Sequence, residues 1–118
     1  MNEPIKYNLE ERCFKFAKEI AIYSKSLPRN LENIEYLRQL IKSSGSIGAN
    51  YIEANESLSK RDFTMRIKIS RKEAKETVFW IRLLIETNEP KFTTEGSRLE
   101  REATELKKIF SSIIEKTK

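Results

Sequence analysis

A chain of 118 residues with 35% charged and 38% hydrophobic side chains is sized for one domain with an unusually wet surface. Its formal charge of +5 admits an anionic partner without demanding one, and the lack of any histidine removes His-based catalysis and nearly all zinc and haem ligation. Cys13 has no second cysteine to pair with, no apolar run is long enough to span a membrane, and Met1-Asn2-Glu3-Pro4 opens too polar for a signal peptide, so a reducing, cytoplasmic setting with no membrane partner is expected.

Residues 1–8 read as a tail and residues 9–118 as a single helical domain. From Leu9, the positions Cys13, Phe16, Ala17, Ile20, Ala21, Ser24 and Leu27 recur at helical spacing and define the inward face of a first helix. Phe14 and Ile22 fall off that stripe and widen the apolar surface. Pro28 ends the helix, and Asn30 or Asn33 is the cap of the next.

The second helix is expected over 31–54, with Ile34, Leu37, Ile41, Ser44, Gly48, Tyr51 and Ile52 inward and Leu40, Ile47 and Ala54 as a second flank. Ser59 caps a third helix over 60–87, with Asp62 three residues on in a near capping box. Phe63, Ile67, Ser70, Ala74, Thr77, Val78, Ile81, Leu84 and Ile85 line its inner side, and Asn88-Glu89-Pro90 stops it. A fourth helix over 95–115, capped by Thr93 or Thr94, turns Leu99, Ala103, Leu106, Ile109, Phe110, Ile113 and Ile114 inward. Gly96 is expected to cost little in a frayed first turn. Four long amphipathic helices with short links predict an all-α, antiparallel, up-down-up-down four-helix bundle.

Gly45 and Gly48 stand inside the second helix, where each glycine costs about 1 kcal/mol relative to alanine. A close helix crossing explains such a pair. Asn50 and Glu53, beside Ala49 and Ile52, are expected to enter a polar network that fixes helix register, with Arg66 or Arg71 as the partner of Glu53.

Nothing in the chain makes a catalytic pattern. Cys13 sits on the apolar face of its helix, where it acts as a small hydrophobe. Gly45-Ser46-Ile47-Gly48 lacks the spacing and the Lys-Ser/Thr of a phosphate loop, and Glu53 and Glu56 lack partner ligands for a metal. No enzyme activity, cofactor or metal is expected.

Charge is concentrated in the third helix. Between residues 60 and 75, Lys60, Arg61, Arg66, Lys68, Arg71, Lys72 and Lys75 oppose only Asp62 and Glu73, an excess of +5 that equals the charge of the whole chain. Cations spaced along a rigid helix can track phosphates, pair with acids of a neighbouring subunit, or simply face water. The only aromatic near this patch is Phe63, expected in the core, so the sequence indicates no stacking platform for single strands. Phe79 and Trp80 lie off the inward stripe of the same helix. With Phe14 and Ile22 they are candidate oligomer contacts, because two helices carry wider apolar faces than one bundle core needs.

The run Leu40-Ile41-Lys42-Ser43-Ser44-Gly45-Ser46-Ile47-Gly48-Ala49-Asn50-Tyr51-Ile52-Glu53-Ala54 resembles the signature of the small proteins encoded in intervening sequences of bacterial 23S ribosomal RNA genes. Pro28, Asp62-Phe63 and Ser70-Arg71-Lys72-Glu73-Ala74 followed by Glu76 extend the resemblance over about residues 10–115. Where family members often carry glycine, this chain reads Glu53-Ala54-Asn55-Glu56, so Asn55 is expected to set the turn. The resemblance implies a four-helix bundle and a ring-shaped homopentamer. It also implies kinship with accessory proteins of diversity-generating retroelements, which are thought to bind nucleic acid and reverse transcriptase. It makes Gly45, Ser46, Ile47, Gly48, Ala49, Asn50 and Glu53 structural.

From charge, Arg61, Arg66, Lys68, Arg71, Lys72 and Lys75 are the candidate RNA or DNA contacts. The leading expectation is an oligomeric bundle that binds nucleic acid. The alternative is a protein-interaction scaffold or accessory subunit that does not touch nucleic acid.

Overall fold

The computed structural model describes residues 5–118, with side chains from Leu9 onward. Four helices follow in order: α1 (Ile5–Ser26), α2 (Leu31–Asn55), α3 (Lys60–Thr87) and α4 (Thr93–Lys116), with a single 3-10 turn at Pro90–Phe92 before α4. They form an up-down-up-down bundle in which α2 packs on α3, α3 on α4, and α1 closes against α2 and α4. Helix α1 begins at Ile5, four residues earlier than the periodicity of Leu9 onward suggests. Residues 1–4 of the expected tail lie outside the described residues.

The caps follow local chemistry. The Asn30 side chain accepts from the Asn33 amide at 2.9 Å and opens α2. The Ser59 hydroxyl oxygen accepts from the Asp62 amide at 3.1 Å and opens α3. Asn33, the rival cap, is instead buried. Helix α4 has no side-chain cap: the 3-10 turn feeds straight into it, and Thr93 is already its first residue. Helix α2 continues to Asn55, and Glu56 closes it by donating its amide to the Ala54 and Glu53 carbonyls.

The core is a stack of helical stripes. Phe16, Ile20, Leu40, Ile47, Ile67, Ile81, Leu84, Leu99, Leu106 and Phe110 are fully enclosed. Each such side chain stabilises the fold by about 1.5–3 kcal/mol relative to exposure. In α1 the seam runs through Tyr23, and Ala21 is exposed. In α2 the expected flank of Leu40, Ile47 and Ala54 is core, while Ile34, Ile41 and Ile52 are exposed. The seam of α2 is turned toward α3 because small polar residues let those helices approach. The Ser43 and Thr77 hydroxyls meet at 2.8 Å, and the Ser70 hydroxyl donates to the Ile47 carbonyl at 2.9 Å.

The three glycines divide. A Cβ on Gly48 would stand 3.0 Å from the Cys13 Cβ, so this glycine permits the α1–α2 approach. Gly45 has nothing within 4 Å of such a Cβ and is exposed. It is not a packing glycine within the bundle. Gly96, expected to be inexpensive, is buried, and its Cβ would lie 2.7 Å from both Ile85 Cγ1 and the Tyr23 hydroxyl.

Candidate nucleic-acid interface

The buried residues Ile67, Ser70, Ala74, Thr77, Ile81 and Leu84 fix the rotation of α3. The opposite stripe is thereby forced outward. Arg61, Lys68, Lys72 and Lys75 are all exposed, with Met65, Phe79 and Arg82 on the same outer side. At 1.5 Å per residue, Arg61 to Arg82 spans about 32 Å. Lys60, Arg61, Asp62, Thr64, Met65 and Lys68 line an open groove of about 560 Å³ at the start of the helix.

Two expected members stand apart from that row. Arg66 is half-buried, and its guanidinium donates to Asn50 Oδ1 at 3.1 Å. Arg71 is also half-buried. The register link between α2 and α3 is therefore Asn50 to Arg66, and Asn50 also donates to the Ser46 carbonyl at 2.9 Å. Glu53, the expected partner of Arg66 or Arg71, is exposed and forms no ion pair among the described residues. Glu53, Glu56, Asp62 and Arg66 share the lining of one surface hollow.

Electrostatic pairing separates α3 from its neighbours. Arg12 binds Glu102 through two nitrogens at 2.7 and 2.8 Å. Arg98 reaches Glu95 at 2.6 Å and Glu19 at 3.3 Å. The Arg98 guanidinium holds the Glu95 carboxyl below its ordinary range. By contrast, no ion pair among the described residues involves Arg61, Lys68, Lys72, Lys75 or Arg82. Glu73, half-buried on α3, has its carboxyl raised by burial and by Glu76, which outweigh Lys72 and Lys42.

The candidate oligomer contacts also divide. Phe14, Ile22 and Phe79 are 68%, 58% and 56% exposed. Trp80 is half-buried, 6.0 Å from the Tyr36 ring and 4.9 Å from that of Phe79. Sequence reasoning missed the outer apolar row of α2, made by Ile34, Ile41 and Ile52 around the open Gly45. The signal was the second flank on α2, since two overlapping stripes together are too wide for every member to face the core.

Burial pushes the Cys13 thiol up to about 12, so it stays protonated and inert. Among the described residues, no group of three or more His, Cys, Asp or Glu could hold a metal ion. No described helix is long and apolar enough to cross a membrane.

A family profile of the 23S rRNA-intervening sequence proteins matches residues 6–112. The chain belongs to this family. Its fold is shared by a crystal structure from Bacteroides thetaiotaomicron VPI-5482, that of a protein of unknown function from the S23 ribosomal protein family. The two are 30% identical, with a TM-score of 0.80 over 93% of this chain and 97% of that one. No curated protein matches the sequence.

Proposed function

We propose that the protein is a non-enzymatic, self-associating bundle that binds RNA or DNA phosphates along the outer face of α3. The observation that carries this reading is the row Arg61, Lys68, Lys72 and Lys75, exposed and without ion-pair partners among the described residues. Arg12, Arg98 and Lys108, by contrast, each sit beside a carboxylate. Uncompensated cations on one rigid helix favour a polyanion, because each phosphate they meet releases counterions.

Self-association is supported by apolar surface. Phe14 and Ile22 on α1, and Ile34, Ile41 and Ile52 on α2, are exposed in the single chain. Gly45 leaves room there for a partner backbone. The family resemblance implies a ring of five for that assembly and a kinship with retroelement accessory proteins. The inert, unpaired Cys13 suits a reducing, cytoplasmic location.

The test is binding of labelled RNA and DNA over a salt series, with solution mass measured on the same samples. The reading expects affinity to fall steeply with salt. Salt-insensitive binding, or none, overturns it. A protein-interaction scaffold is the second reading, favoured by the exposed Phe79. It expects Phe79 variants to lose a protein partner and leave nucleic acid unaffected.

A further inference from the structure

We infer that the α3 face takes unpaired nucleic-acid strands, with Phe79 as the platform on which a base stacks. The inference rests on the nucleic-acid reading above and narrows it from polyanions in general to single strands.

The placement of Phe79 carries it. The residue lies four positions after Lys75, seven after Lys72 and three before Arg82, so helical spacing puts it on the cationic row, between its last two members. It is more than half exposed, which is unusual for a phenyl ring beside a well-filled core. Its ring is also held. Trp80 meets it edge-on, with an interplanar angle of 80°, and Trp80 is in turn braced by Tyr36. A ring so held loses little rotamer freedom when a flat ligand lands on it.

The chemistry on either side fits one class of ligand. Lys68, Lys72, Lys75 and Arg82 outnumber the exposed carboxylates Glu76 and Glu86 on the same stretch. An apolar partner protein would meet a ring of charge there. A duplex would meet the charge but keep its bases stacked inside, out of reach of Phe79. A single strand offers phosphates to the cations and a free π-face to the ring, and base–aromatic stacking of this kind tolerates any sequence.

The experiment compares a labelled 20-mer single strand, as oligo(U) and as oligo(dT), with a mixed-sequence duplex of the same length. Binding is followed by fluorescence anisotropy across a salt series for the full chain and for Phe79→Ala, Phe79→Trp and Lys68→Glu/Lys72→Glu. Each variant is checked for helicity and solution mass. The expected result is that Phe79→Ala weakens single-strand binding about tenfold or more. Its salt slope and its duplex binding stay unchanged, and Phe79→Trp restores affinity. The charge reversals weaken both ligands.

Equal loss on single strand and duplex, no loss from Phe79→Ala, or tighter binding of duplex overturns the single-strand inference while the phosphate-binding reading stands. Absence of binding to every oligonucleotide overturns both. A Phe79→Ala protein of altered mass and unaltered affinity makes Phe79 a subunit contact and also overturns the inference.

Discussion

Asn33 and Asn88, 55 positions apart, exchange a reciprocal pair of hydrogen bonds. Each amide nitrogen donates to the other's Oδ1 at 2.9 Å. The second donor positions are filled too, Asn33 by the Pro28 carbonyl at 2.8 Å and Asn88 by that of Leu84 at 2.9 Å. The pair, Asn33 buried and Asn88 half-buried, thus ties the start of α2, the α1–α2 link and the end of α3 into one joint.

The joint should be expensive to break. Asn33 is only 1% exposed, so truncating either partner leaves buried polar groups unsatisfied. Asn33→Ala is expected to cost about 1–3 kcal/mol, and Asn88→Ala a comparable amount. The double variant should lose less than the sum of the two. Urea unfolding of the full cycle measures this. Additive losses would show that the reciprocal bonds contribute nothing as a pair.

The glycines give opposite expectations. Gly96→Ala drives a methyl into Ile85 and the Tyr23 hydroxyl, which itself donates to the Phe92 carbonyl at 3.0 Å. Destabilisation by about 1–3 kcal/mol is expected. Gly45→Ala meets open space in a helix interior and should stabilise the single chain by about 0.5–1 kcal/mol. Thermal unfolding of the two variants side by side tests the contrast. Loss of stability in Gly45→Ala together with a lower solution mass would place the α2 outer face in a subunit contact.

Much of this architecture is legible in residue spacing. The inward faces of α3 and α4 follow from their periodicity, because in each the buried positions recur along one stripe. Helix α2 is different. Its apolar residues cover two overlapping stripes, and the core takes Leu37, Ser44 and Tyr51 from one and Leu40, Ile47 and Ala54 from the other, along the side where Ser43, Ser70 and Thr77 make close contacts. Gly96 was misread for a related reason: its burial comes from Tyr23 and Ile85, on two other helices. On the candidate interface, charge density points to α3, but which cations face outward depends on the helix rotation. Arg66 turns to Asn50 across the helix pair, so the expected register network forms through Asn50 where spacing had pointed to Glu53.

Alkali should weaken the fold through its buried acids. Burial pushes the Cys13 thiol from an ordinary 9.0 up to about 12. It raises the Tyr23 and Tyr51 hydroxyls in the same direction. The unfolded chain therefore releases these protons first. The stabilisation is fully present below the ordinary thiol value and is lost as pH climbs toward the folded one. Urea midpoints are expected to fall from about pH 9 upward, and less so in Cys13→Ala. At neutral pH a thiol reagent should label Cys13 only at the rate of unfolding. Rapid labelling of the native chain would contradict its burial.

Salt-titrated nucleic-acid binding of the wild-type chain and of Lys68→Glu/Lys72→Glu, with solution mass recorded at every point, tests the central claim most directly. The account predicts a linear fall of log affinity with log salt. The double reversal should weaken binding at least about tenfold and flatten that slope by about two, with mass and helicity unchanged. Equal affinity and equal slope in the two proteins, at equal mass, would remove the outer face of α3 from nucleic-acid recognition.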